Sequence, residues 1–246
     1  LPKTANLDPV RAKLRDRRSK RTIVFADGPV AIKQQWRHGK HFMYHRYSVN
    51  IAPAVERFGE WEESAVALLS GLLDFGAGSG AVYDVGANVG LFSFAMLAHG
   101  RRRVGGGGRL PIKIHAFEPQ PPLCHIISGN VAIQNAWQDV VPHNTAVGAK
   151  AGLLSLPVYN YNAPERFAQM SVIGMPNMWG QRPLPSHGGT EKPTETYSVP
   201  VTTLTDLVAP ERPDQVPLDC PQLIKVDVEG AEISVLEGSN GMMKLP

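Results

Sequence analysis

Residues 81–98 constrain the fold more than any other stretch. Ala81-Val82-Tyr83-Asp84-Val85 is an apolar run carrying an acid near its end. Gly86-Ala87-Asn88-Val89-Gly90 is a turn, and Leu91-Phe92-Ser93-Phe94-Ala95-Met96-Leu97-Ala98 continues with helical character. A strand, a glycine turn and a helix in that order place a nucleotide-type pocket at the carboxyl end of a parallel strand. Gly86 permits the tight turn, and Gly90 lets the helix begin close to both ligand and sheet. The spacing between them is G-x-x-x-G. Dinucleotide binders use G-x-G-x-x-G, so the pattern argues against a pyrophosphate ligand.

Hydrophobic periodicity extends the pattern on both sides. Buried strands are expected at 112–117, 140–147 and 221–228, helices at 123–136 and 231–236. A segment at 152–158 is expected to pair beside the third strand. A further strand at 197–201 and a short helix at 205–208 follow. Ahead of the glycine turn, 41–51 reads as strand and turn, and 55–73 carries one helical stripe through Trp61, Ala65, Leu68, Leu69 and Leu72. Strands alternating with helices predict an α/β fold, a doubly wound parallel sheet with helices on both faces. The expected organisation is a basic, partly disordered arm at 1–40, a helical cap and linker at 41–80, and a ligand-binding domain at 81–246. That domain carries a long loop rich in proline and glycine at 159–196, read as a lid or an insertion.

The net charge of +3 is unevenly spread: residues 1–46 hold twelve Lys or Arg against three Asp or Glu. No aromatic residue interleaves the basic cluster at 11–21, which weakens a base-stacking role and makes nucleic acid an unfavoured partner. The apolar stretches fall well short of the ~20 residues that span a bilayer, and no secretory apolar core follows residue 1. Cys124 and Cys220 match no metal or redox spacing, so a reducing, cytoplasmic setting is the expectation. His41-x-x-x-His45 has helical metal spacing but lacks the intervening carboxylate and lies in a strand-like segment. No metal site is expected.

Two further motifs carry chemistry. In His115-Ala116-Phe117-Glu118-Pro119 a strand ends in a carboxylate, 34 positions after Asp84. An acid there can accept both hydroxyls of a ribose. In Leu223-Ile224-Lys225-Val226-Asp227-Val228-Glu229-Gly230, alternation puts Lys225, Asp227 and Glu229 on one face. Three charges on a buried strand are costly unless they pair internally or reach the ligand edge. A second glycine cluster, Asp74-Phe75-Gly76-Ala77-Gly78-Ser79-Gly80, precedes a strand instead of a helix and reads as a linker.

VYDVGANVGLFSFA, HAFEP, Asn130 in HIISGN, NTAVG and LIKVDVEGAEISVLEG together resemble the FkbM family of S-adenosylmethionine-dependent methyltransferases, from about Gly59 to Gly238. The resemblance implies a Rossmann-like class I methyltransferase sheet and S-adenosylmethionine as cofactor. It also implies methylation of a hydroxyl on a sugar, glycoconjugate or other small metabolite. By it, Asp84, Gly86, Ala87, Asn88 and Gly90 would shape the methionine and ribose part of the site, Glu118 would bind the ribose, and Asn144 with Ala146 would lie near the adenine. Asp227 and Glu229 would face methyl transfer, with His143 a third candidate base. Against a sheet of about seven strands, a chain stopping ten residues after 236 is expected to lack its last C-terminal strands, and a start at Leu1 suggests a cut there as well. The rival readings are a nicotinamide oxidoreductase and a non-catalytic module that binds a polyanion through the basic arm.

Overall fold

The computed structural model describes residues 22–24, 28–34, 36–39, 41–73, 81–103, 113–162, 195–211 and 213–244. Its centre is a four-stranded parallel sheet built from β4 (Ala81–Val85), β5 (Lys113–Phe117), β6 (Val140–His143) and β10 (Pro221–Val226). The strands lie in the order β10-β4-β5-β6. Every residue of β4 is buried, as expected of a strand flanked by parallel neighbours with both faces covered.

One face of the sheet is covered by α3 (Leu91–Arg103) and α4 (Pro121–Ile133). Val82, Ile114, Ala116 and Val140 of the sheet share a core there with Phe94, Leu97, Leu123 and Ile127. The opposite face presents Ala81, Tyr83, Val85 and Phe117 to Leu204 of α5 (Leu204–Val208) and Val235 of α6 (Glu232–Glu237). This is a doubly wound, Rossmann-like arrangement. β10 is the edge of the sheet among the described residues, and its side chains are only partly covered.

Three expectations are corrected. The strand expected at 140–147 divides. β6 stays in the central sheet, while β7 (Ala146–Val147) joins β8 (Gly152–Pro157) and β9 (Thr196–Thr202) in a second sheet of order β7-β9-β8. β8 therefore lies beside β9, with β9 between it and β7. The break falls at Asn144-Thr145, whose side chains bond across to Glu118 O, Pro119 O and Pro200 O. The single helix expected at 55–73 is two, α1 (Ile51–Phe58) and α2 (Glu63–Leu72). Gly59 ends the first in the left-handed region (φ 73°), its N–H donating to Val55 O, a conformation open to glycine at little cost. Finally, α3 runs through Arg103 into the segment read as loop, and Arg101 caps the C-terminus of α4 at Gln134 O and Asn135 O while pairing with Asp139 at 2.6 Å.

Within the stretch read as an arm and cap, β1 (Thr22–Val24), β2 (Val30–Gln34) and β3 (His41–His45) form an antiparallel meander. Basic composition hides it, because Lys33 spends its charge indoors, its ammonium donating to Glu56 O at 2.8 Å. Trp36 packs on Phe42 with ring centroids 4.5 Å apart, and Phe42 meets Phe94 of α3 edge-on at 6.0 Å. Asn130 joins this layer to the core. Its Oδ1 accepts from Met43 N at 2.7 Å, and its amide donates to Met43 O and Val89 O. His41 and His45 lie on this strand instead of a helix, which removes the i,i+4 metal geometry. The linker glycines 76–80, most of 159–196 and the basic cluster at 11–21 lie outside the described residues.

Candidate active site

The carboxyl ends of β4, β5 and β10 open into one cavity, where ligands bind in open α/β sheets. The turn after β4 forms its floor. Gly86 N and Ala87 N both donate to Phe117 O at 3.0 Å, which pins the turn to the neighbouring strand. Gly86 sits at φ 80°, and a Cβ there would lie 1.9 Å from Asp227 O, so only glycine lets β4 and β10 come this close. Asn88 takes the left-handed region (φ 54°), as do Glu62 (φ 51°) and Glu229 (φ 53°). All three line this cavity, while Asn135 (φ 50°), after α4, is the fourth such residue among those described and lies away from it.

Glu118 is the central carboxylate of the site. It is 4% exposed, with Oε2 accepting from Asn88 N and Oε1 from Gln120 N, each at 2.9 Å. Burial pushes its pKa up to about 7, although the two amides and the Lys225 ammonium act against that. Each oxygen retains a lone pair for a further donor.

Asp84 lies beneath the cavity instead of lining it. Fully buried, it accepts from Ser93 Oγ at 2.7 Å and pairs with Lys225 Nζ at 3.3 Å. The same ammonium lies 3.3 Å from Asp227 Oδ2 and donates to Gly86 O at 3.1 Å. Burial opposes the Lys225 charge, but Asp84 and Asp227 outweigh it and hold the ammonium above its ordinary range. Burial, reinforced by Asp227 and Glu232, raises Glu229, which Lys225 only partly relieves.

Of the residues expected from the sequence, the cavity brings together Gly86, Ala87, Asn88, Glu118, Ala146, Asp227 and Glu229. Asp84, Gly90 and Asn144 stand behind it. A Cβ on Gly90 would crowd Phe94 and Ile127, and Asn144 braces the Glu118–Pro119 turn through its amide. His143 faces away, stacked on Phe117 at 4.6 Å and bonded to His115, with burial lowering its pKa to about 4. Sequence reasoning missed the part of the lining supplied by Asn50, Ile51, Trp61 and Glu62 of the cap and by Phe92. The signal available was the Gly-Glu-Trp-Glu turn at 59–62, where the resemblance begins.

Fold and site together define a doubly wound α/β protein with a ligand cavity at the carboxyl ends of its parallel strands. The methyltransferase FkbM domain matches residues 84–245, and the chain belongs to that family. Methyltransferase sdnD of Sordaria araneosa is 31% identical over 166 residues, 64% of this chain and 59% of that protein. The chain thus spans about three fifths of that relative's length. The crystal structure of methyltransferase FkbM from Methylobacillus flagellatus KT aligns with 94% of this chain and 44% of its own, at 17% identity and a TM-score of 0.40. No helix among the described residues is long and apolar enough to cross a membrane.

Proposed function

We propose that the cavity binds S-adenosylmethionine and that the protein methylates a hydroxyl of a sugar, glycoconjugate or other small metabolite. Bound there, the cofactor supplies a methyl group on a sulfonium, which passes to the acceptor oxygen and leaves S-adenosylhomocysteine. The observation that carries this reading is Glu118: a carboxylate held on both oxygens by backbone amides, buried over a glycine turn, is a preorganised acceptor for a ribose diol. Ala87 and Asn88, in the turn that Gly86 permits, would hold the methionine end, and Ala146 would bound the adenine side.

On the opposite wall Trp61 offers an apolar ring face, and Asn50 and Glu62 offer polar groups, a set suited to a ring that carries hydroxyls. Most of the rate gain comes from aligning the acceptor oxygen with the methyl. Glu229 would take the acceptor's hydroxyl proton. Its raised pKa suits it to that task better than Asp227, whose charge is committed to Lys225.

Calorimetry with S-adenosylhomocysteine and with NAD tests the reading. Micromolar binding of the first, lost in Glu118→Ala, is expected; binding of NAD alone overturns it. With a panel of glycoside and polyol acceptors and labelled cofactor, Glu229→Gln is expected to reduce turnover ~10²–10⁴-fold while leaving S-adenosylhomocysteine affinity within a few-fold.

A further inference from the structure

We propose that His38, Glu63 and His99 form a zinc-binding site, separate from the cofactor cavity. His38 follows β2, Glu63 opens α2, and His99 lies in the second half of α3. They are 25 and 36 positions apart in the chain, so no spacing motif announces them. In space, His38 Nε2 lies 2.5 Å from Glu63 Oε2 and His99 Nε2 lies 3.4 Å from Glu63 Oε1. The three ligand atoms fall within 4.8 Å of one another, and the two rings are centred 5.3 Å apart. A tetrahedral zinc with bonds of ~2.0–2.1 Å spaces its ligand atoms by roughly 3.4 Å, so small rotations complete the set.

Ser70 holds the ring of His99 from behind. Its Oγ donates to Ala67 O at 3.0 Å and lies 3.1 Å from His99 Nδ1, which leaves Nε2 as the nitrogen turned to Glu63. A hydroxyl holding the distal nitrogen of a histidine is the usual outer support of a metal ligand. The His38 side chain is 3% exposed, with Nε2 turned to Glu63 and Nδ1 buried.

One divalent ion can take a carboxylate oxygen of Glu63 and one nitrogen from each ring. Imidazole nitrogens select zinc and similar transition ions over calcium or magnesium, and three protein ligands leave a fourth position for water. Arg37 is the competitor: its Nε lies 3.5 Å from Glu63 Oε1, but the side chain is 54% exposed and its guanidinium also holds Glu60 at 2.8 Å. It can turn outward when a cation arrives. The site would clip α2 to α3, next to Trp61 and Glu62 of the cavity wall.

The test uses the whole chain stripped with a chelator. Zinc is titrated against a chromophoric competitor, and cobalt is added separately as an optical probe. The expected result is one zinc per chain at micromolar affinity or tighter, intense tetrahedral-type cobalt bands, and a zinc-dependent rise in Tm. His99→Gln is expected to weaken binding at least ~100-fold, and Ser70→Ala ~10–100-fold. Arg37→Gln, a change at an exposed side chain that leaves the fold intact, is expected to tighten it several-fold. Absence of stoichiometric binding, weak octahedral-type cobalt absorption, or an affinity unmoved by both His99→Gln and Arg37→Gln overturns the proposal.

Discussion

The ammonium of Lys225 lies 3.3 Å from the fully buried carboxylate of Asp84, and through it the strand that carries the glycine turn is tied to the strand beside it. Removing one partner of such a pair leaves a charge stranded in the sheet. Lys225→Met is expected to cost about 3–5 kcal/mol, and adding Asp84→Asn to recover part of that loss. Urea unfolding of the two single variants and the double variant measures the coupling. A cost below about 1 kcal/mol for Lys225→Met would show that the pair does not hold the sheet.

Glu118 makes cofactor affinity depend on pH. Its pKa near 7 belongs to the empty cavity, and a diol donating to it favours the anion. Protonation at lower pH therefore competes with binding. S-adenosylhomocysteine is expected to bind ~10-fold more weakly at pH 6 than at pH 8, because roughly nine in ten carboxyls are protonated one unit below the pKa. Glu118→Gln should bind weakly at both values. A pH-independent affinity in the unaltered protein would remove Glu118 from the ribose contact.

Two glycines predict opposite outcomes for the same substitution. Gly86→Ala meets Asp227 O at 1.9 Å and places alanine at φ 80°, so a loss of at least about 1–3 kcal/mol is expected, along with loss of ligand binding. Gly71, in the last turn of α2, has open space where a methyl group would go, with nothing within 4 Å, and Gly71→Ala is expected to stabilise by up to about 1 kcal/mol. Thermal melts of the two variants check the contrast.

The histidine pair behind the cavity sets an acid limit. His115 Nδ1 lies 2.9 Å from His143 Nε2, and burial lowers both pKa values from 6.5 to about 4. Between those values the unfolded chain binds more protons than the folded one, so stability rises with pH across the window and falls as pH drops from 6.5 towards 4. His115→Phe, in a site already lined by Tyr83 and Phe117, is expected to flatten the dependence of Tm on pH over that range. An unchanged slope would move the acid sensitivity elsewhere.

The core was legible because its signals are local. β4, the glycine turn and α3 follow each other without interruption, and Glu118 closes its strand directly before Pro119, with Pro121 at the first position of α4. In the layer ahead of β4, β3 and the helical stripe were legible, and β1 and β2 were not. Lys33 is buried although its residue type is normally exposed, and its partner Glu56 O is 23 positions away. The split at Asn144-Thr145 was hidden for a similar reason, since apolar residues continue on both sides while the strands join different sheets.

By itself the sequence determined the parallel α/β order, the pocket at the end of β4, and the acids around it, because strand and helix periodicity and glycine turns are written in neighbouring residues. Only the tertiary structure decided which acids touch the cavity. It buried Asp84 beneath Lys225, left Glu118 and Glu229 at the surface of the site, and brought Trp61 and Glu62 across from another layer. It also gathered His38, Glu63 and His99 from three elements. Charge pairing and desolvation act through space, between groups whose separation along the chain carries no information about their distance.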